Sequence, residues 1–477
     1  INLNNNLDDN NTQLINLNTS IGSFGKRFLS AGVNLRTAKI KSHTKIFRNS
    51  SSNDFEYTIA ENLPKRKQIH AYFKSEGILQ NLSWAVSNNS QLNIDFWHQN
   101  TFREIPATTT QNISQAVQID LSNRMAVTYR HYREKLSLES KVAYIDEDND
   151  YADPIILIDT KNRFKRWLHQ SKLNYTFESD LNLSFNYQYI NTKASTAFYE
   201  DQQNHDQLAI TFSAAKNWGK LYSFFAARKE WQLNTSAAIN PMLTSTLKIS
   251  DAYSIGFKVS REYRFPTLNE LFWVPGGNEA LLPEQGWNQE LNFTHHKTRK
   301  LKTNISLYHR KIDNWILWGL EEGSFIYTVT NLASVRSYGA EVKNELPFNL
   351  GPTTNKFTFS YAYTISENQT NIVSPRIREG DQLFYTPKHR LFLDWSMSSN
   401  LINLSINANY TSGTNGINDM LDDYGLLNAY LSKQIDYKGL SMESGLTIRN
   451  ILEANYRVIE RRPMPGINYS IFLNFKF

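Results

Sequence analysis

The feature that most restricts the fold of this chain is an alternation of apolar and polar residues with a period of two. In 402–410, Ile, Leu, Ile, Ala and Tyr occupy the even positions, whereas Asn and Ser occupy the odd ones. The same alternation recurs in 181–189, 357–364 and 469–477. Since successive side chains of a β-strand point to opposite faces, the pattern predicts amphipathic strands from end to end of the chain.

The polar face of these predicted strands is rich in Asn, Ser, Thr and Gln, whereas the polar face of a soluble sandwich would be rich in Lys and Glu. Such a face suits a crowded, hydrated interior, and the aliphatic and aromatic face opposite it suits contact with lipid. Each strand is about 10 residues long, which is enough to cross a bilayer when the strand is tilted. We therefore predict an all-β fold, a transmembrane antiparallel barrel.

Composition restricts the class of membrane protein. Aromatic residues make up 13% of the 477 residues, and the mean hydropathy is −0.51. No run of about 18 apolar residues occurs, so a helical membrane protein is excluded, and a closed barrel is the other structure that can span a bilayer. Composition alone fits a large soluble all-β protein, such as a propeller, equally well. The choice of a barrel therefore depends on the alternation.

The connections between the predicted strands alternate in length. Short turns, such as 88–90 and 218–220, alternate with longer segments at 51–67, 146–161 and 264–286. Outer-membrane barrels place short turns on the periplasmic side and long loops outside. The hairpins add up to about 22 strands, the number of a barrel wide enough to hold a plug. We predict one barrel over 12–477, preceded by an Asn-rich connection, 1–11.

The remaining composition excludes several kinds of site. The chain has no cysteine, which excludes disulfides, iron–sulfur clusters and structural zinc sites of the cysteine type. The net charge of +6 is scattered, with no basic patch of the kind that binds nucleic acid. The first residues have neither a Met start nor the charged region of a signal peptide. We expect a mature chain that begins partway through its protein.

Several short motifs follow one another in the second half of the chain. They include an R-F-P-T-L-N-E-L stretch from Arg264, a G-N-E-A-L-L-P-E stretch from Gly277 and a T-P-K-H stretch from Thr386. The motif residues are Arg264, Pro266, Glu270, Pro283, Glu284, Glu290, Gly339, Glu341, Pro387, His389, Pro465, Gly466 and the terminal Phe477. In type and order these motifs resemble those of the TonB-dependent outer-membrane transporters.

The resemblance implies a function without bond chemistry. Family members bind a scarce nutrient at the extracellular face, and the inner-membrane TonB complex then pulls on an N-terminal plug inside the barrel. Residues 1–4 resemble the final plug strand, so we expect the plug to be absent from this chain. The resemblance also implies that Arg264, Glu270, Glu284 and Glu290 pair near the barrel rim in a structural role.

The sequence contains no catalytic constellation, so an enzyme is not expected. Ligand contacts are expected from residues of the long loops, and each aromatic residue among them could instead belong to an interfacial aromatic girdle. They are Trp273, Asn278, Trp287, Trp318, Phe325, Tyr327, Tyr385 and Tyr424.

No metal site is predicted with a defined ligand set. His295 and His296 are adjacent in a predicted strand and therefore face opposite sides. Two acidic clusters, in 146–153 and 418–423, are predicted in external loops, where they could bind Ca²⁺ or simply be solvated.

The nature of the ligand rests on the resemblance. The Trp273 to Asn278 stretch is similar to cobalamin receptors of the Bacteroidota, in which surface lipoproteins often cap the barrel. Ferric siderophores are the main competing ligands. An alternative of a different class is a plugless barrel that acts as a structural subunit or a passive pore of an outer-membrane complex.

Overall fold

The computed structural model describes residues 14–59, 62–232, 235–296, 301–320, 326–371 and 378–477. Its main sheet has 23 strands, one of which is the two-residue Thr235–Ser236 beside a longer strand. The other 22 strands are antiparallel to their neighbours and form a closed barrel. The prediction of an all-β barrel of about 22 strands is therefore confirmed.

The barrel strands are numbered β1 to β22 in chain order. The first eleven are Ile15–Gly22, Lys26–Arg36, Ile40–Ser51, Phe73–Ser87, Ser90–Glu104, Val117–Arg133, Leu136–Asp153, Ile158–Thr176, Leu181–Ser195, Gln203–Trp218 and Leu221–Gln232. The second eleven are Asn240–Lys248, Tyr253–Arg264, Glu284–His296, Lys302–Leu320, Tyr327–Leu350, Thr353–Asn368, His389–Ser398, Asn403–Thr411, Tyr424–Tyr437, Leu440–Arg449 and Asn468–Lys476. A short helix, α1, covers Leu268–Phe272. No helix in the described ranges is long and apolar enough to span a membrane.

Pairing of the first and last strands closes the barrel. Asn16 lies opposite Lys476, and Gly22 lies opposite Ser470. At the end of the chain, the backbone N–H of Phe477 donates to the carbonyl of Ile15 at 2.9 Å. The sheet therefore has no free edge on which another strand could pair.

The two faces of the barrel follow from the strand registers, since directly opposed residues share a face. Asn407 lies opposite Asp394 and Asn428, whereas Ile406 lies opposite Trp395 and Ala429. The strand registers show which residues of the other strands share the face of Asn407. On β13 they are Lys258, Glu262 and Arg264, and on β19 they are the polar residues of 402–410.

Lys258 and Asn407 lie near the middle of their strands, where charged and amide side chains cannot meet lipid, so the face of Asn407 lines the lumen. The opposite face carries the exposed apolar side chains, among them Leu29, Ile46, Phe212 and Ile471. The predicted assignment of lumen and lipid faces is therefore confirmed.

The connections divide the barrel into two ends. Turns of two to five residues, such as 88–89 and 219–220, join strands at what we call the turn end. The longest connections, 52–72, 265–283, 369–388 and 450–467, lie together at the opposite end, which we call the loop end. The predicted short turns and the long connections near 51–67 and 264–286 are confirmed.

The predicted long loop at 146–161 is wrong. Strand β7 continues to Asp153, and β8 begins at Ile158, so only four residues, 154–157, connect them. The acidic residues of 146–153 are accommodated in a strand because basic side chains lie beside them. Arg163 contacts Asp148 at 3.1 Å and Asp150 at 2.6 Å, and Arg124 pairs with Glu147. The predicted segment 1–11 lies outside the described residues, and the domain boundary stays a prediction.

Candidate functional site

The long loop 265–283, between β13 and β14, begins with a capped helix. The backbone N–H of Glu270 donates to Thr267 Oγ1 at 3.3 Å, and the backbone N–H of Thr267 donates to Glu270 Oε2 at 2.7 Å. This reciprocal capping box satisfies two backbone donors at the start of α1. The sequence T-L-N-E therefore fixes where the helix begins and turns the Glu270 side chain back toward β13.

A three-residue charge cluster ties this helix to the barrel. Arg264 donates from Nε and Nη2 to Glu284 at 2.9 and 2.6 Å, and from Nη1 to Glu270 Oε2 at 2.9 Å. Glu284 is buried, and its Oε1 also accepts the backbone N–H of Ile316 on β15 at 2.9 Å. The predicted pairing of Arg264, Glu270 and Glu284 is confirmed, and it joins α1, β13, β14 and β15.

Glu290 does not join this cluster, and the expectation that it pairs with Arg264 is corrected. It lies six residues beyond Glu284 on β14, opposite Lys258, and accepts a hydrogen bond from Asn292 at 3.0 Å. At about 3.4 Å per residue, six residues place it roughly 20 Å from Glu284 along the strand. The distance along β14 explains the error.

Two asparagines hold the middle of loop 265–283 against β16. Asn278 Nδ2 donates to the carbonyl of Val329 at 3.2 Å, and Asn331 exchanges hydrogen bonds with the backbone of Leu282 at 2.7 and 2.9 Å. A Cβ at Gly276 would overlap the carbonyl oxygen of Tyr327, so only glycine allows this close approach. Asn278, predicted as a ligand contact, has its side chain occupied in holding the loop.

An apolar cluster lies beneath the loop. It consists of the buried Leu271, Leu281, Ile316 and Val329, against which Phe272 and Trp318 pack. Since such packing removes apolar surface from water, the loop is held by apolar contacts as well as by hydrogen bonds.

A cleft of about 540 Å³ opens beside α1 at the loop end. Three of the predicted ligand contacts, Trp273, Trp318 and Tyr327, meet there. The complete lining of described residues is Asn269, Trp273, Pro275, Gly276, Trp318, Ile326 and Tyr327. None of these side chains is charged, so the cleft offers flat aromatic surfaces and one amide. It can bind an uncharged, planar group by stacking and apolar contact.

A second loop, 196–202, supports one wall of the cleft. Phe198 stacks on Trp273 with ring centroids 4.1 Å apart, and the backbone N–H of Val274 donates to the carbonyl of Phe198 at 2.8 Å. The hydroxyl of Tyr199 donates to Asn269 Oδ1 at 2.5 Å. Burial raises the pKa of Tyr199 to about 12, so this phenol stays a donor at neutral pH. The sequence pattern gave no sign of this second loop.

A hollow of about 840 Å³ lies along the lumen wall next to the charge cluster. In contrast to the cleft, it is lined by charged side chains, several of which are paired. Arg228 donates to Glu230 Oε2 at 2.6 and 2.9 Å, and Arg310 contacts Glu262 at 3.0 Å. The loop end therefore offers an uncharged aromatic cleft above a polar, charged lumen.

The other predicted ligand contacts lie apart from the cleft. Trp287 lies opposite Arg261 and Lys311 on the outer face, so it belongs to the lipid-facing side of the wall. Tyr424, on the lumen face, has its ring centroid 4.8 Å from that of Tyr456. The backbone N–H of Tyr385 donates to the carbonyl of Asn415 at 2.7 Å. Phe325 lies outside the described residues.

The remaining motif residues have local contacts that fit a structural role. His389 Nδ1 lies 2.8 Å from the hydroxyl of Tyr361, and a Cβ at Gly339 would overlap the carbonyl oxygen of Tyr363. The carbonyls of Pro266 and Pro465 accept hydrogen bonds from Gln232 and Asn450. Glu341 lies on the lumen face. Pro283 and Pro387 flank strands β14 and β18, Gly466 precedes β22, and Phe477 follows it.

The predicted metal-binding candidates show no chelating group. His295 and His296 face opposite sides of β14, as predicted, with His295 stacked on Tyr253. In the second acidic cluster, Asn418 and Asp419 donate backbone N–H groups to Glu460. Among the described residues, no group of three or more His, Asp or Glu is placed to hold a metal ion. Binding of Ca²⁺ by the external segments stays a prediction.

Comparison with known proteins places these features in a family. Residues 2–451 match the family described as TonB dependent receptor-like, beta-barrel. Over 102 residues the chain is 34% identical to the vitamin B12 transporter BtuB of Photobacterium profundum. That match covers 21% of this chain and 15% of the length of the relative.

Solved structures share the fold at low identity. The FrpB iron transporter from Neisseria meningitidis has a TM-score of 0.80 and 11% identity, covering 97% of this chain and 81% of that chain. A mutant of the ferric enterobactin receptor PfeA from Pseudomonas aeruginosa has a TM-score of 0.78 and 13% identity, covering 97% and 80%. The chain therefore belongs to the TonB-dependent receptors and is an outer-membrane β-barrel of that family.

Proposed function

We propose that this barrel belongs to a TonB-dependent importer that binds cobalamin, or in second place a ferric siderophore, at the loop end. The observation that carries the proposal is the convergence of Trp273, Trp318 and Tyr327 in one uncharged cleft. Cobalamin is uncharged overall and presents methyl groups, amides and a planar benzimidazole, which can pack against indole and phenol rings. The importer changes no bond in its cargo and needs no resident cofactor.

The order of the two ligands rests on the chemistry of the cleft and on one relative. The 34% identity over 102 residues is to a vitamin B12 transporter. Ferric siderophores are often anionic, and a site for them would gain from nearby cations. The described residues of the cleft lining include no cation, which favours the uncharged cobalamin. The charged hollow below it could serve either ligand after it leaves the cleft.

The proposal includes partners. A barrel of 22 strands encloses a wide lumen, which has to be closed in the cell. We propose that a plug domain fills it and connects the bound nutrient to the TonB complex in the inner membrane. A surface lipoprotein that caps the loop end is a further partner compatible with the exposed loops.

Uptake of labelled cobalamin tests the proposal. Cells with and without the gene that encodes this chain are grown under cobalamin limitation, with TonB present or deleted. We expect uptake to require both the gene and TonB. The matched control is a strain complemented with the wild-type gene.

Each other outcome has a defined meaning. Equal uptake with and without the gene removes cobalamin as the cargo, and the same comparison is then made with ferric siderophores under iron limitation. If uptake of neither nutrient depends on the gene and on TonB, the importer proposal is overturned. A structural subunit or passive pore then takes its place.

A further inference from the structure

One row of residues on the outer face of the barrel carries three cations. On β13 and β14, Arg261 lies opposite Trp287. Trp287 also lies opposite Lys311 on β15, and Lys311 lies opposite Arg336 on β16. The four side chains therefore share one face of four neighbouring strands, and because the strands are tilted the row runs obliquely to the membrane plane. At about 4.8 Å between strands, the row is roughly 14 Å wide. We call Arg261, Trp287, Lys311 and Arg336 the basic row.

The end of the basic row at Arg261 lies at the border of the apolar band. Four residues nearer the turn end, the same strands present Phe257, Leu291 and Leu307, which are 44%, 47% and 49% exposed. Arg261 is eight residues from Tyr253, the start of β13. At about 3.4 Å per residue and a tilt of ~40°, this is roughly 20 Å across the bilayer, near the top of an apolar band ~25 Å tall.

The cations of this row are only partly neutralised. Arg261 donates to the neutral amide oxygen of Gln285 at 2.8 Å. Lys311, whose side chain is 56% exposed, is 3.6 Å from Asp313. Arg336 pairs with Glu367 at 2.7 Å. Three cations and two carboxylates leave a net positive charge, which begins near the height of the lipid headgroups at Arg261 and continues above it toward Arg336.

Another part of the wall, on β7 and β8, provides a contrast. On β8, Arg163 pairs with both Asp148 and Asp150, and Lys165 lies opposite Asp146 on β7. Lys161 also lies opposite Asp150. Cations on that wall are matched by carboxylates on the neighbouring strand, so it has no surplus positive charge.

We propose that the basic row binds the phosphorylated, anionic headgroup of an outer-leaflet lipid. Arginine and lysine donate charge-assisted hydrogen bonds to phosphate oxygens. Trp287 lies between Arg261 and Lys311, where an indole packs against the acyl-chain border of the headgroup. The inference goes beyond nutrient import and depends only on the placement of the barrel in the outer membrane.

Binding of lipid A to the purified full-length protein tests the proposal. The test variant is Arg261→Gln with Lys311→Gln and Arg336→Gln. The matched control is Lys161→Gln with Arg163→Gln and Lys165→Gln, which removes three cations from the neutralised wall. Bound lipid is counted by native mass spectrometry at increasing lipid concentrations. The difference in gel mobility between unheated and heated samples confirms that each barrel is folded. If the triple test variant does not fold, Lys311→Gln alone is used, because its contact with Asp313 is long.

Removal of one cation near an anionic surface weakens binding by about fivefold. We therefore expect the dissociation constant for lipid A to rise by at least about tenfold in the triple variant. The control variant should bind as the wild type does. Unchanged affinity in the test variant, or an equal loss in the control, overturns the proposal. A second arm adds inorganic phosphate as the competitor. Full displacement of lipid A by millimolar phosphate would mean a free-anion site and would also overturn it.

Discussion

The guanidinium of Arg264 and the carboxylate of Glu284 form two parallel hydrogen bonds, of 2.6 and 2.9 Å, at the point where β13 and β14 enter the loop end. The Glu284 side chain is 8% exposed, whereas that of Arg264 is 40% exposed. The pair therefore combines a buried carboxylate with a partly solvated cation, and it fixes both ends of loop 265–283.

Replacement of Glu284 by Gln should loosen this loop. The amide keeps the shape but loses the charge, and it leaves Arg264 with Glu270 as its only carboxylate among the described residues. Because Arg264 is partly solvated, we expect a cost of about 1–3 kcal/mol, below that of a fully buried pair. Hydrogen exchange of 265–283, followed by mass spectrometry, should become faster. Glu290→Gln is the control and should leave exchange there unchanged; equal acceleration in both would contradict the assigned role of the cluster.

The adjacent residues Ile406 and Asn407 lie on opposite faces of the barrel wall, so an introduced charge should be costly at Ile406 and mild at Asn407. Ile406→Arg puts a cation opposite Trp395 and Ala429 in lipid, and it should cost about 2 kcal/mol or more, rising toward about 4 near the midplane. Asn407→Arg puts the same cation opposite Asp394 in the lumen and should be mild. The measurement is the free energy of unfolding in lipid vesicles. Similar costs at the two positions would mean that the register is wrong.

The buried Glu460 should make the anchoring of loop 412–423 depend on pH. Its carboxylate accepts the backbone N–H groups of Asn418 and Asp419 at 2.7 and 3.0 Å. Burial raises the pKa of Glu460, but these hydrogen bonds, with that of the Asn418 side chain and the charge of Arg461, lower it by more, so the net pKa is below the ordinary value. The stabilisation is then complete above the unfolded pKa, about 4.3, and is lost as the pH falls through the folded pKa.

Limited proteolysis of loop 412–423 measures this effect. The wild type should be protected at pH 7 and lose protection in acid below about pH 4. Glu460→Gln should be cut faster at pH 7 and should show little change between pH 7 and acid. A wild-type loop whose protection is the same at both pH values would contradict the role of Glu460.

Much of the fold could be predicted from the sequence because a barrel is built from local rules. The period of two in 402–410 fixed which side chains share a face, and the turn residues at 88–89 and 219–220 fixed the hairpins. The segment 146–153 was misjudged because five carboxylates close together are typical of a solvated loop. Arg163 and Arg124 lie on neighbouring strands, and their pairing with those carboxylates depends on a register that one segment does not contain.

The candidate site could be predicted only in part, because its residues come from segments far apart in the sequence. Trp273, Trp318 and Tyr327 were predicted singly, but their meeting in one cleft depends on Asn331 holding the loop. Phe198 belongs to a loop that precedes Trp273 by 75 residues, and no local pattern joins the two. Glu460 was missed because an isolated glutamate in a loop gives no signal of the backbone donors around it.

The dissociation constant of cobalamin for the full-length protein tests the central claim most directly. We compare the wild type with Trp318→Ala, which removes an indole from the cleft, and with Trp287→Ala, which removes one from the outer face. Loss of an aromatic contact in a desolvated pocket costs about 2 kcal/mol or more, so Trp318→Ala should weaken binding by roughly 30-fold or more, whereas Trp287→Ala should bind as the wild type does. No binding of cobalamin by the wild type, or equal affinity in Trp318→Ala and the wild type, would contradict the account.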